Sequence, residues 1–225
     1  QKETELSMLV NVLGTSNLLT ALSDVPIVSF VFTSTSEVYG YNEVPFDENQ
    51  DLSPTSPYSV SKAFQDLLSQ SYFKSYGLKI IITRMFSYTN ARRNDLFQTA
   101  FANQIANIER GKKKILIHGN LNSVRNIIDI SDAMEAYWLT AKKGRIGEIY
   151  NIGGKKVISV GGYLKELKKL SSVRIKSKID KKLLRPVDVT LQIANTKKFV
   201  RDTHWSPKIS FEKSMEKLLE ECRKS

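Results

Sequence analysis

Residues 27–40 read "IVSFVFTSTSEVYG", an apolar, β-branched and aromatic run that ends in hydroxyls, a carboxylate and a tyrosine. So short a run without alternation is the pattern of a strand covered on both faces, as in a parallel sheet. Its polar ending needs a reason. Ser34, Thr35, Ser36 and Glu37 fall at the strand's carboxyl end, the edge at which open parallel α/β sheets bind ligands.

On the amino-terminal side, "TELSMLVNVLGTSNLLTALS" (4–23) spaces Leu6, Leu9, Leu13, Leu18 and Leu22 for an amphipathic helix with no strand before it. On the other side, Gly40 to Pro57 holds three prolines with Asn and Asp, a loop. Ser56 and Pro57 supply an N-cap and first-turn proline for a helix to about Tyr76, where Gly77 provides the stop. "LKIIITRMF" (78–86) is a second buried strand. Helix, strand, helix, strand predicts a right-handed parallel sheet with helices on both faces. Past Phe86 the expected order is a helix from Asp95 to Arg110, short strands at "KILIHG" and "VRNIIDI", the helix "SDAMEAYWLTAKK" and the strand "EIYNIGG". From Lys155 the segments turn shorter and more basic, with helices near 159–170 and 210–223, and are expected to form a smaller second lobe.

A chain of 225 residues with 41% hydrophobic and 25% charged residues has the composition of a globular protein. Its excess of 34 basic over 23 acidic residues gives a net charge of +11. The excess lies in short pieces between apolar-periodic segments, without the aromatic interleaving of a base-stacking surface, so solvated faces and attraction of small anions account for it and nucleic acid does not. No apolar run is read as approaching the 18 residues of a membrane span. One cysteine, Cys222, and no leader make a reducing cytoplasm the expectation. His118 and His204 have no second ligand at metal-binding spacing and are read as structural.

"SPYSVSK" (56–62) puts Tyr58 and Lys62 four residues apart at a helix start, on one face. An ammonium beside a phenol favours the ionised phenol, giving a proton acceptor and donor that works near neutral pH. The pair alone is weak evidence. One loop after a hydroxyl-and-carboxylate strand end, it becomes more specific.

"STSEVYG", the Pro-containing loop, "SPYSVSKAFQDLL" and "RMF" together resemble the extended short-chain dehydrogenase/reductase family. "ARRNDLFQTAFANQIANIERG", "HGNLNSVRNIIDISDAMEAYW", "GEIYNIGG" and "LLRPVDVTLQIANTKKF" extend the likeness over essentially the whole chain, toward the GDP-mannose 4,6-dehydratases and the related GDP-4-keto-6-deoxy-mannose reductases. The resemblance implies the carboxyl-terminal part of a Rossmann-type doubly wound sheet, with 1–86 and 124–151 as the rest of an NADP-binding domain and 87–123 with 152–225 as a GDP-sugar lobe. The Gly-rich dinucleotide turn and first strands of such enzymes have no counterpart in the sequence, so a truncated chain with exposed strand edges is expected.

Carried over by motif, the resemblance makes Tyr58 the acid/base at sugar C4, Lys62 its partner and a nicotinamide-ribose ligand, Thr35 the group that orients O4, and Glu37 the base at C5 and acid at C6. Thr35 and Glu37 are expected to point the same way by strand alternation, with Ser36 opposite and on the substrate. Phe86 would lie at the cofactor, Ser87 and Asn120 at the substrate, Arg125 and Arg185 at the diphosphate, and Asp188 at the ribose hydroxyls. Arg92 and Arg93 match a double-arginine loop that reaches the cofactor of a neighbouring subunit, implying a homo-oligomer (dimer or tetramer). Two positions depart from the family pattern: Ser87 and Tyr88 replace Asn-His, and Ser59 replaces Gly. The readings left open are a dehydratase of GDP-mannose, the keto-sugar reductase, which needs no carbanion chemistry from Glu37, and a non-catalytic nucleotide-sugar-binding fragment.

Overall fold

The computed structural model describes residues 2–184 and 189–224. In chain order its elements are α1 (Lys2–Met8), a π-helical turn (Leu9–Gly14), α2 (Thr15–Ser23), β1 (Phe30–Thr35), a 3₁₀ turn (Ser36–Tyr39), α3 (Pro57–Tyr76), β2 (Ile80–Met85), β3 (Tyr88–Thr89), α4 (Phe97–Glu109), β4 (Leu116–His118) and β5 (Val124–Asp129). There follow α5 (Ile130–Lys143), β6 (Ile149–Ile152), β7 (Lys156–Ser159), α6 (Val160–Lys169), β8 (Ser177–Ile179), a second 3₁₀ turn (Lys181–Leu183), β9 (Leu191–Gln192), α7 (Lys197–Thr203) and α8 (Phe211–Lys224). They form two compact units, 1–86 with 134–152 and 194–206, and 87–133 with 153–193 and 207–225.

The first unit is built on a parallel sheet in the order β1-β2-β6. β2 lies in the middle and is buried along its whole length, which is why "IIITRM" shows no polar alternation. Helix α3 begins with a reciprocal capping box between Ser56 and Ser59, carries Pro57 in its first turn, and ends at Gly77 in the left-handed region with φ 68°. Ser59, a departure from the family's Gly, thus fills a capping role. Leu68 and Tyr72 pack on Leu19, Phe32, Leu78, Ile80 and Ile82.

The amino-terminal segment is helical as the leucine spacing predicts, but it widens into a π turn over "LVNVLG". There it meets α3 through polar contacts, Asn11 Nδ2 donating to Ser61 Oγ at 3.0 Å and Gln65 Nε2 to Thr15 Oγ1. Contrary to the sequence reading, Thr4–Ser23 is a 20-residue helical stretch of mean hydropathy 1.3, long and apolar enough by length and composition to cross a membrane, with 11% of its apolar window buried. Threonines, serines and two asparagines among the leucines hide the run from a search for unbroken apolar residues. Among the described residues β1 pairs on one side only, with β2.

In the second unit β5 is the central strand, pairing in parallel with β3 and β9 and antiparallel with β7, while β4 and β8 form a parallel pair. Its core joins Phe101, Ile105, Leu116, Tyr163, Leu167, Met215 and Leu218 from α4, β4, α6 and α8. Both boundaries past Phe86 differ from the sequence division. Residues 124–133 fall in the second unit because the partners of β5 are there, and 194–206 fall in the first because Phe199 packs edge-on against Tyr150 of β6 at 5.6 Å.

Candidate active site

β1 stops at Thr35, whose Oγ1 accepts the Glu37 N–H at 3.3 Å and caps the short 3₁₀ turn Ser36–Tyr39. This corrects the alternation argument, since Glu37 lies on a turn and not on a strand. The turn achieves a similar separation by other means: Ser34 and Ser36 are buried, while Thr35 and Glu37 remain partly exposed. Gly40 closes the turn at φ 61°, and a Cβ there would lie 1.7 Å from the Ser53 carbonyl oxygen. Only glycine fits.

Tyr58 is the second residue of α3, its side chain about half exposed. One turn on, Lys62 Nζ donates to the Thr33 carbonyl at 2.7 Å and stands 4.9 Å from the Phe32 ring centroid, so the ammonium is held beside β1 just before its polar end. Burial pushes the Lys62 pKa down to about 8, against the pull of Asp66 one turn further along α3. Val38, Tyr39, Phe46, Ala63 and Phe86 form one core cluster. The turn that carries Glu37 and the helix that carries Tyr58 and Lys62 are therefore packed together, with Phe86 buried between them and the 44–52 loop.

The remaining expected residues lie in the second unit. Ser87 Oγ accepts from Gln98 Nε2 at 2.7 Å. Arg92 and Arg93 are exposed on the 91–94 turn, with Arg93 in a two-bond pair to Asp95 at 2.8 and 2.6 Å. Asn120 folds on its own loop, its Oδ1 accepting from Asn122 N and its Nδ2 donating to Ser123 Oγ. Arg125, on β5, donates to the carbonyls of Val124 and Thr190 at 2.9 and 3.2 Å. Arg185 and Asp188 lie outside the described residues. His118 bonds the Gly119 carbonyl, and His204 ends α7 at φ 58°. A cavity of about 410 Å³ in this unit, lined among others by Asp129, Lys155, Lys156, Lys208 and Phe211, contains none of the expected site residues.

Sequence reasoning missed a polar network beneath the site. Arg84 of β2 is fully buried and pairs through two bonds with Asp66, at 2.9 and 3.0 Å. Two signals pointed to it: a cation inside a buried apolar run demands a partner, and Asp66 follows Lys62 at i+4 and Tyr58 at i+8 on the same helix face.

Comparison with known proteins follows the same lines. Residues 2–218 match a family model described as GDP-mannose 4,6 dehydratase. The dTDP-D-glucose 4,6-dehydratase of Homo sapiens is 31% identical over 222 residues, which are 96% of this chain and 62% of that protein. The chain therefore spans less than two thirds of the length of that relative. Among solved structures, dTDP-glucose 4,6-dehydratase from Bacillus anthracis in complex with NAD superposes with a TM-score of 0.82 at 28% identity, over 95% of this chain and 68% of the other. RMD from Pseudomonas aeruginosa complexed with NADPH gives a TM-score of 0.89 at 23% identity, over 96% and 74%. The parallel α/β architecture is thus the Rossmann type found in extended short-chain dehydrogenases/reductases.

Proposed function

Because the chain belongs to the GDP-mannose 4,6-dehydratase family, we propose that it carries the catalytic groups of a nicotinamide-dependent nucleotide-sugar 4,6-dehydratase, which turns a nucleoside-diphosphate hexose into its 4-keto-6-deoxy form. The observation that carries this reading is the position of Glu37. A carboxylate sits on the turn directly after β1, packed against the helix that holds a phenol and an ammonium.

The residues fit the nicotinamide-ribose end of such a cofactor. Lys62 gives one of its three donors to the Thr33 carbonyl and retains capacity for a ribose hydroxyl, and the Tyr58 side chain is accessible. Bound there, a nicotinamide would take a hydride from C4 and later return it at C6. The Lys62 ammonium favours the ionised form of Tyr58, and that phenolate accepts the C4 hydroxyl proton and becomes a neutral phenol. The C4 ketone acidifies C5, Glu37 removes that proton, the C6 hydroxyl departs as water with a proton from the same carboxyl group, and as the hydride returns to C6 a solvent proton is delivered to C5. Thr35, whose oxygen accepts from Glu37 N, keeps its own hydroxyl proton to donate to O4. NADP is the cofactor proposed from the family resemblance, with NAD as the comparison.

The nucleotide is where sequence and relatives divide. The human relative's name favours dTDP-glucose, and we take that as the first reading; the family description favours GDP-mannose, the second. A homo-oligomer is part of the proposal, supported by apolar side chains left exposed on neighbouring helices of the first unit, among them Leu6, Leu9, Leu13, Val60 and Leu67. The test is incubation with each sugar nucleotide and NAD or NADP, followed by mass spectrometry. Loss of 18 mass units, that of one water, with no net cofactor reduction supports the reading; inertness of every combination refutes it for this chain.

A further inference from the structure

We propose that Arg84 is the positioning residue of this site, a buried guanidinium that fixes the Glu37 turn and the Tyr58–Lys62 helix in one register on the sheet. The inference rests on the catalytic reading above and deepens it. Arg84 lies inside β2 with its side chain 2% exposed. Its Nε and Nη2 donate to the two carboxylate oxygens of Asp66 at 2.9 and 3.0 Å. Its Nη1 donates to Tyr39 Oη at 3.0 Å and to the Glu48 carbonyl at 3.2 Å.

These partners belong to different pieces of the site. Asp66 follows Lys62 by one helical turn and Tyr58 by two. Tyr39 ends the turn that holds Glu37. One planar cation thus grips both carriers of catalytic groups from β2, the strand next to β1. The network continues in β6, where Tyr39 Oη donates to Asn151 Oδ1 at 2.8 Å, Asn151 N donates to the Glu48 carboxylate at 2.8 Å and Asn151 Nδ2 to the Phe46 carbonyl at 2.9 Å. The Arg84 guanidinium also stands 4.9 Å from the Tyr39 ring centroid.

Stability alone does not ask for this arrangement. A buried ion pair commonly gives no more stability than apolar side chains of similar volume, while its fork geometry fixes orientation far more narrowly. Apart from Thr83, the other residues of β2 are apolar, and Ile or Met would suit the strand. What the arginine adds is a fixed distance between an acid on a turn and a phenol on a helix. A displacement of about 1 Å at reacting groups lowers turnover on the order of 100-fold.

The test compares Arg84→Lys, which keeps the charge and loses the fork, with Arg84→Met/Asp66→Leu, which removes both charges and leaves no orphaned carboxylate. The double variant is expected to melt within a few degrees of the parent. Its kcat should fall about 100-fold with KM changed less than about threefold, and the lysine variant should be intermediate. Amide exchange gives a readout that needs no turnover: the Ser36–Tyr39 turn and the first two turns of α3 should exchange at least about tenfold faster, with the α4 and α8 amides unchanged. A double variant that keeps both parental kcat and parental exchange overturns the proposal. So does one that loosens everywhere, because that marks Arg84 as a general stabiliser. If the parent turns over no sugar nucleotide, the catalytic reading falls, and the exchange pattern alone decides whether Arg84 sets the register.

Discussion

At the residue scale, Lys62 carries its charge where burial discourages it. Its pKa is about 8 in the folded chain against 10.5 for the free side chain, so between those values the unfolded chain binds more protons than the native one and stability rises with pH. Relative to Lys62→Met, the parent should therefore gain stability from pH 8 to 10.5, on the order of 1–2 kcal/mol after allowance for partial exposure. Denaturant melts of both proteins across that range measure it, and a gain that runs the other way contradicts the assignment. Tyr58 and Lys62 were legible in the sequence because a capped helix fixes i and i+4 on one face. The Arg84–Asp66 pair was less so, since its partners are 18 residues apart on different elements and the sequence offers only an arginine in an apolar strand and an acid on the helix face of Lys62 as hints.

At the element scale, the 36–39 turn is held by its two ends. Thr35 caps it and Gly40 closes it at positive φ, with the Ser53 carbonyl where a Cβ would be. Gly40→Ala should lose more than about 1 kcal/mol of stability, and should lower turnover further by tilting Glu37; a variant as stable and active as the parent would show that the turn tolerates another path. Strand alternation misled here because a strand's end is a hydrogen-bonding decision. Once Thr35 turns its oxygen to Glu37 N, the period of two no longer applies.

A second clamp lies in the other unit. Glu109, at the end of α4, accepts two bonds from Arg223 of α8 at 2.8 and 2.7 Å and another from Ser172 N at 3.0 Å. The Arg223 guanidinium above all holds the Glu109 pKa down at about 2. A depressed carboxylate contributes stability that is complete above its unfolded value of 4.5 and lost as pH falls toward 2. Arg223→Ala should cost about 1 kcal/mol at pH 7, with the difference from the parent vanishing near pH 2 in paired thermal melts. No sequence spacing announces this pair, as the two residues are 114 apart.

At the scale of the whole molecule, alternating apolar strands and capped helices made the parallel α/β class and most elements legible, α3 to within its caps. The short pieces β7, β8, β9 and α7 were not read. Two- to four-residue strands in basic, mixed sequence carry no period, and they exist because β5 and β4 offer them an edge. The same physics moved 124–133 and 194–206 across the expected domain boundary, since unit membership follows pairing partners and not sequence neighbourhood.

In the proposed reaction Glu37 removes the C5 proton of a sugar whose C4 has given its hydride to the nicotinamide and its hydroxyl proton to Tyr58. The most direct measurement is turnover of dTDP-glucose or GDP-mannose in deuterated water, with the product's C5 position read by NMR for the parent chain and for Glu37→Gln. The parent is expected to give a 4-keto-6-deoxy product carrying solvent deuterium at C5, and the variant at least about 100-fold less. Undiminished deuterium at C5 in Glu37→Gln, or a parental product with none, would contradict that role of Glu37.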